Sequence, residues 1–132
     1  MSLDWVKVVL QGWHPQRVSG SEFLEALDLQ PDDGYDTGPA DRPGKNAKII
    51  LADVEHTPGN SCNEQLQDRL RTAAQWLSTR RERIERCRAN GFTVRMLVNG
   101  WIDGDQMDLS FPPEFLLACG QAGLEVDIIT ND

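Results

Sequence analysis

The sequence predicts an α+β protein, a two-layer sandwich whose mixed β-sheet carries helices on one face. Three observations predict this fold class. Short β-branched and apolar runs alternate with stretches of helical periodicity, in the order β-α-β-α-β-β-α-β. The longest helical stretch is amphipathic, and one Asp-Gly turn joins two strand-like runs directly. The length of 132 residues suits a single α+β domain spanning residues 1–132.

The first strand and helix are predicted within the N-terminal thirty residues. Residues 5–10, WVKVVL, are β-branched and apolar with one charge, as is typical of a strand. The Gly-Trp-His-Pro sequence at 12–15 interrupts that pattern. A short helix then follows over Glu22–Leu29, where the apolar side chains have a spacing of 3.6 residues, and Pro31 ends it.

A polar segment at 31–46, PDDGYDTGPADRPGKN, separates this helix from the second predicted strand. It contains three Pro, three Gly and four Asp, so no helix or strand can run through it and we expect a flexible loop. Ala47–Val54 then has strand character. Its continuous apolar run at 49–51 predicts a central strand that is buried on both faces.

One long helix is predicted over Cys62–Ala89. Ser61 and Glu64 form a capping box at its start, and Asn90-Gly91 is a left-handed stop signal at its end. At 1.5 Å per residue the helix would be about 40 Å long, so we expect its arginine-rich end to project or bend. One apolar stripe should pack on a sheet or a partner, and it consists of Leu66, Leu70, Ala73, Leu77, Ile84 and Cys87.

The C-terminal third contains the remaining predicted elements. Phe92–Ile102 has the alternation of a strand, and Asp103-Gly104-Asp105 is a hairpin turn signal. Gln106–Phe111 should return antiparallel to that strand. A helix over Glu114–Ala122 and a closing strand over Leu124–Thr130 complete the order.

Charge excludes some function classes. Thirteen basic against twenty-one acidic residues give a net charge of −8, which argues against nucleic-acid binding. The chain has neither a signal-peptide pattern at its start nor an apolar run of about 18 residues, so we expect a cytoplasmic protein that makes no membrane contact. The five arginines between Arg80 and Arg88 are interpreted as a solvated helix face paired with Glu82 and Glu85, with a local anion site as the alternative.

Cysteine spacing gives no sign of a disulfide framework or a zinc site. Cys62, Cys87 and Cys119 are odd in number and lie far apart in the sequence. Cys62, in the first helical turn and six residues after His56, is a candidate nucleophile, although an ordinary helix residue is the simpler interpretation. The acidic loops lack EF-hand spacing, and the common nucleotide and hydrolase motifs are absent. We therefore expect no catalytic residue, no metal and no cofactor.

Aromatic and acidic side chains in the turns indicate a binding surface for a basic protein partner, because complementary charge speeds association and tryptophan is enriched in binding hot spots. Homo-oligomerisation through the long helix would be compatible with this function. The alternative is a small enzyme or ligand-binding protein with a pocket near Trp13, His14, Cys62 and Arg95. The predicted binding residues are Trp13, His14, Asp32, Asp33, Tyr35, Asp36, Trp101, Asp103 and Asp105.

Several short motifs are similar to those of one known family. They are the 12–15 turn, the Leu-x-Leu-x-Pro sequence at 27–31, and the closing PPEFLL helix at 112–117, which is followed by LEVDII at 124–129. In this layout the chain resembles the DUF4279-like family of small bacterial proteins. The resemblance implies a bacterial α+β domain of immunity type or another interaction protein, and it implies no catalytic residues.

Overall fold

The computed structural model describes residues 2–16, 20–29, 47–55, 62–103 and 109–130. It confirms the α+β class, with a mixed four-stranded sheet and three helices. The elements are β1 (Ser2–Trp13), α1 (Gly20–Ala26), β2 (Ala47–Glu55), α2 (Cys62–Ala89), β3 (Thr93–Asp103), α3 (Pro113–Gln121) and β4 (Val126–Thr130).

The sheet has the strand order β2-β1-β3-β4. β1 pairs antiparallel with both β2 and β3, whereas β4 pairs parallel with β3 through the crossover that contains α3. The buried side chains of all three helices join those of the strands in one apolar core. The helices therefore cover a single face of the sheet, as predicted.

The core face of β1 follows a two-residue period. Val6, Val8 and Leu10 are completely buried there. Gly12 continues the same face, and a Cβ at this position would lie 2.5 Å from two ring carbons of Phe23. A glycine is required here because the α1 aromatic ring lies directly against the backbone.

The long helix α2 packs on β2, β1 and β3, and of the two predicted outcomes for its arginine-rich end, projection or bending, projection is wrong. Cys62 at its start and Ile84 and Cys87 near its end are all buried. A helix of 28 residues is about 42 Å long, and the twelve-residue β1 is nearly as long at about 40 Å. β1 is thus long enough for α2 to pack on the sheet along its entire length.

The predicted ends of the helices are partly confirmed. α2 has the predicted bounds, and Gly91 supplies the left-handed stop with a φ of 96°. α1 ends earlier than predicted, because Asp28 adopts a φ of 62° and lets the Leu29 N–H donate to the Leu24 carbonyl at 2.8 Å. The predicted loop at 31–46 lies outside the described residues.

β2 is an edge strand of the described sheet and not the predicted central strand. Its pairing passes from Val8–Ala52 to Val9–Ile50, which leaves Leu51 as the extra residue of a β-bulge. Regular alternation from Ala47 makes Ile50 point away from the core, where it is 42% exposed, and the bulge makes Ala52 the next buried residue in place of Leu51. The apolar run at 49–51 is therefore explained by the bulge. It does not mean that the strand is buried on both faces.

The predicted hairpin strand at 106–111 is not observed where the structure describes it. Residues 104–108, which include most of the hairpin turn, lie outside the described part, and the described residues from Leu109 to Phe111 form no strand. The backbone of Ser110 instead bonds to α2. Its N–H donates to Asn63 Oδ1 at 2.8 Å, and its carbonyl accepts a hydrogen bond from Gln67.

Candidate functional site

The sheet face opposite the helices, here called the outer face, is the candidate site. Its side chains are those that alternate away from the core in the four strands. Among the described residues, none of the three helices packs on this face. The outer face consists of Trp5, Lys7, Val9, Gln11 and Trp13 on β1, Thr93, Arg95, Leu97, Asn99 and Trp101 on β3, Lys48, Ile50, Asp53 and Glu55 on β2, and Asp127 and Ile129 on β4.

Three of the four tryptophans lie on the outer face. Trp5 and Trp101 are directly opposite each other on β1 and β3, and Trp101 is 43% exposed. Trp13 lies half-buried at the other end of β1. The fourth, Trp76, is on α2, where Arg80 stacks on its ring at 4.4 Å. This distribution concentrates the large aromatic surface on the side without helices.

Arg95 organises one end of the outer face. Its Nε donates to Gln11 Oε1 at 2.8 Å, and its Nη1 donates to Asp127 Oδ2 at 2.9 Å. Its guanidinium carbon lies 5.6 Å from the ring centroid of Trp13. Gln11 is only 4% exposed, so its side-chain oxygen depends on this protein donor. These three contacts hold the half-buried guanidinium in one orientation.

A cavity of about 590 Å³ opens next to this cluster. Trp13 and Arg95 both line it, as the alternative prediction of a pocket required. Arg88 on α2 closes one side and donates from Nη1 to the carbonyl of Ala122 at 3.3 Å. The full lining is Trp13, Arg88, Phe92, Thr93, Val94, Arg95, Gly123, Glu125 and Asp127.

His14 lies beside the cavity but has a structural role. The Gln16 N–H donates to its Nδ1 at 3.1 Å, so its Nε2 carries the proton and donates to the Asn90 carbonyl at 3.0 Å. Its ring meets Phe92 edge to face at a centroid distance of 5.0 Å. Nε2 thus fastens the end of β1 to the turn that follows α2, while Nδ1 holds the local turn that follows β1.

A second depression lies in the middle of the outer face. It has a volume of about 250 Å³, and Trp5, Val9 and Leu97 give it an apolar floor. The side-chain oxygen of Asn99 is buried there without a hydrogen-bond partner. Lys7 at the rim pairs with Asp53 at 3.9 Å. The complete lining is Trp5, Lys7, Val9, Lys48, Ile50, Leu97 and Asn99.

The structure divides the predicted binding residues between two ends of the sheet. Trp13 and His14 lie at the end of β1, next to Thr93, whereas Trp101 and Asp103 lie at the opposite end of β3. Eight residues of strand separate the two ends, which corresponds to about 27 Å. The remaining predicted residues, Asp32, Asp33, Tyr35, Asp36 and Asp105, lie outside the described part of the chain.

The structure does not place Cys62 in the predicted pocket. It lies at the first residue of α2, whereas the cavity is beside Arg88, 26 residues or about 39 Å further along the helix. The side chain of Cys62 is 3% exposed, and its Sγ is 4.0 Å from the carbonyl oxygen of Val54. The proposed neighbour His56 lies outside the described residues.

The other two cysteines are buried thiols in the helical layer. Burial raises the pKa of Cys119 to about 11. Burial likewise raises the pKa of Cys87, although the charge of Arg86 partly opposes this change. Both groups are therefore protonated near neutral pH and are unsuited to nucleophilic chemistry.

The arginine run on α2 serves several local contacts. Arg81 pairs with Glu85 at 3.3 Å, which confirms that part of the predicted pairing. Arg80 stacks on Trp76, and Arg88 donates to the last turn of α3. The apolar stripe of α2 packs on the sheet of the same chain, so a helix-mediated dimer would have to use the polar side.

Sequence reasoning missed Trp5, Gln11 and Asp127 as members of the site. The signal for the first two was available, because the alternation of residues 5–10 continues to Trp13. Asp127 could not be assigned from its own surroundings, because its partner Arg95 is 32 residues away and on another strand.

Within the described residues, no three histidine, cysteine or acidic side chains come close enough to hold a metal ion. No described helix is both long and apolar enough to cross a membrane. Comparison of the chain with known protein families, curated proteins and solved structures finds no match. The residues of the outer face are therefore the basis for any functional proposal.

Proposed function

We propose that this protein is a non-enzymatic protein-binding domain, and that it recognises a basic protein partner through the outer face. The observation that carries the proposal is the placement of Trp5, Trp13 and Trp101 on the sheet face that the helices leave uncovered. Tryptophan side chains combine large apolar area with low conformational entropy loss, and they are enriched among the residues that dominate binding energy.

Charge favours a basic partner. The net charge of the chain is −8, but the described outer face contributes little to it, because Lys7 pairs with Asp53 and Arg95 with Asp127, and the remaining β2 charges, Lys48 and Glu55, are opposite in sign. The negative field therefore arises elsewhere in the molecule and would act at long range to attract a basic protein. The paired charges and the central apolar depression would then make the short-range contacts.

An immunity-type protein, which the resemblance implies, is one member of this class. Such a protein neutralises a toxin by covering its functional surface, and it needs no catalytic machinery of its own. The uncovered aromatic face and the negative net charge would suit a toxin domain with a basic active surface.

A matched set of tryptophan variants tests the proposal. The chain is immobilised and exposed to a lysate of the organism that encodes it, and captured proteins are identified and their isoelectric points compared. Trp5→Ala and Trp101→Ala should reduce capture of a basic protein at least tenfold, because each removes aromatic area from the outer face. Trp76→Ala, on the helical layer, should leave capture unchanged.

Association kinetics with the captured partner provide the second part of the test. Raising the salt concentration from about 50 to about 500 mM should slow association at least tenfold, because the screening length of the attraction falls from roughly 14 Å to roughly 4 Å. Equal losses for Trp76→Ala and Trp101→Ala, or an association rate that salt does not change, would contradict the proposal.

The cavity lined by Trp13 and Arg95 favours ligand binding as a second candidate function. The fixed guanidinium and the adjacent indole would suit an aromatic carboxylate. Titration with benzoate, followed through the four indole N–H signals in an NMR spectrum, should shift the Trp13 signal before those of Trp5 and Trp101. Absence of any selective shift, or an unchanged titration in Arg95→Gln, would contradict this candidate.

A further inference from the structure

The outer edge of β4 carries an inference that is independent of the proposed function. β4 pairs with β3 on one side, and within the described residues no strand pairs with its other side. The Met96 N–H donates to the Glu125 carbonyl at 2.9 Å, and this bond determines which β4 residues direct their backbone groups toward β3. Alternate residues therefore face β3, so Val126, Ile128 and Thr130 direct their backbone groups outward.

The strand β4 itself, at 126–130, lacks the sequence features that usually prevent pairing with another strand. The sequence VDIIT contains no Pro, no Lys and no bulge. Its one charged side chain, Asp127, is bonded to Arg95 on the neighbouring strand at 2.9 Å, so the charge is neutralised within the sheet. Ile128 is 49% exposed.

The opposite edge of the sheet has the protection that β4 lacks. β2 is interrupted by the bulge at Leu51, and it displays the charged side chains of Lys48, Asp53 and Glu55. A bulge and exposed charges both obstruct the addition of a further strand. The two edges of one sheet are therefore unequal, and β4 is the one suited to pairing.

We propose that β4 pairs antiparallel with β4 of a second copy of this chain, around a two-fold axis at Ile128. This register places the two exposed Ile128 side chains opposite each other, and Val126 faces Thr130 of the second copy. The outward backbone groups then form about six hydrogen bonds. The result is one continuous eight-stranded sheet.

Charge excludes the neighbouring register on the N-terminal side of Ile128. A two-fold axis at Asp127 would place the two Asp127 side chains directly opposite each other, and like charges in that position are destabilising. With the axis at Ile128, each Asp127 faces Ile129 and keeps its bond to Arg95. The edge is thus complementary to itself, and the two-fold arrangement closes at a dimer because no second edge of β4 remains.

Sedimentation velocity of the full chain, at concentrations up to about 1 mM, tests the dimer, since a five-residue edge is a small interface. The wild type should approach twice its monomer mass of 14.8 kDa. Ile128→Lys should raise the protein concentration at which half of the chains are dimeric at least tenfold. The matched control Leu117→Lys, at a position 62% exposed on α3, should not. A wild type that remains monomeric, or equal effects of the two variants, would overturn the proposal.

Disulfide cross-linking keeps the test decisive if Ile128→Lys destabilises the fold. In the proposed register the two Ile128 Cα atoms are about 5.5 Å apart, which suits a disulfide. Ile128→Cys should give a cross-linked dimer under mild oxidation, whereas Leu117→Cys should not. The native thiols are buried and will not compete. Failure of Ile128→Cys to cross-link, or cross-linking of both variants alike, would refute the two-fold register.

Discussion

On the helix side of the sheet, Val8, Leu10 and Met96 are completely buried among other apolar side chains, whereas the outer face buries residues in a different way. There, Val9 and Gln11 are 7% and 4% exposed, nearly as little as the core. No described helix lies above them. Their neighbours on the outer face are tryptophans, an arginine and ion pairs, so burial on this side comes from long side chains of adjacent strands.

This difference teaches how one sheet can serve both folding and recognition. Apolar burial on the helix side supplies the main driving force for folding. On the outer face, long side chains with polar or aromatic ends shield the central residues from water. Such a surface is stable in water and can still contact a partner. Substitutions on the two faces should therefore differ in size and in pH dependence.

Adjacent residues of β3 give the most direct comparison of the two faces. Met96→Ala, on the helix side, should lower the free energy of unfolding by about 3 kcal/mol, because it leaves a cavity in a fully buried site. Leu97→Ala, on the outer face, should cost about 1 kcal/mol, because its site is partly exposed. Urea denaturation measures both. Equal losses would show that the outer face is packed as tightly as the core.

The buried thiol of Cys119 in the helical layer should make the free energy of unfolding depend on pH. The thiol of Cys119 has a pKa of about 11 in the folded protein, against an ordinary value of 9.0. Between these values the unfolded chain binds fewer protons than the folded one, so the free energy of unfolding falls as pH rises from about 9 to about 11, by about 2 kcal/mol. This contribution is complete below pH 9.

Comparison with Cys119→Ala isolates that contribution, because other groups of the chain also titrate at high pH. The variant will be less stable by a constant amount at neutral pH, yet its free energy of unfolding should fall less steeply than that of the wild type above pH 9. Parallel curves for the two proteins between pH 8 and 11 would show that Cys119 does not titrate with a raised pKa.

On the outer face, the bond between Arg95 and Gln11 should behave as a buried polar pair. Arg95→Leu should cost about 1.5 kcal/mol, because the buried oxygen of Gln11 loses its donor. The double variant Arg95→Leu with Gln11→Leu should be more stable than Arg95→Leu alone, since no unsatisfied oxygen remains. Thermal unfolding of the single and double variants measures the coupling. If the stability losses of the two single variants simply added in the double variant, the proposed coupling between Arg95 and Gln11 would be contradicted.

The sequence predicted the helix side of the sheet well because each signal there is local. The capping box, the Asn90-Gly91 stop and the apolar stripe together define α2 to the residue. The α+β class follows from the same alternation of periodicities. The prediction that the end of α2 projects was wrong because β1 was predicted only over residues 5–10. The observed strand has twelve residues and is long enough for the whole helix to pack on it.

The outer face was harder to predict because its chemistry depends on which strands are neighbours. The Arg95–Asp127 bond follows from parallel pairing of β3 with β4, which local periodicity does not specify. Bulges add a second difficulty. One extra residue at Leu51 turned a half-exposed edge strand into an apparently central one, since the run of three apolar residues has no alternation.

The smallest effect is expected from the exposed ion pair of the outer face. Lys7 and Asp53 are 3.9 Å apart, and each side chain is about half exposed, so Lys7→Ala should change the free energy of unfolding by less than about 0.5 kcal/mol. Arg95→Leu, on the same face but with a buried partner across the β1–β3 pair, serves as the reference for a costly loss. If the Lys7→Ala change were as large as that of Arg95→Leu, stability on this face would come from charge pairing in general. A negligible change, measured by urea denaturation at low and at high salt, would instead locate the polar stabilisation at Gln11, where a buried oxygen makes the bond to Arg95 necessary.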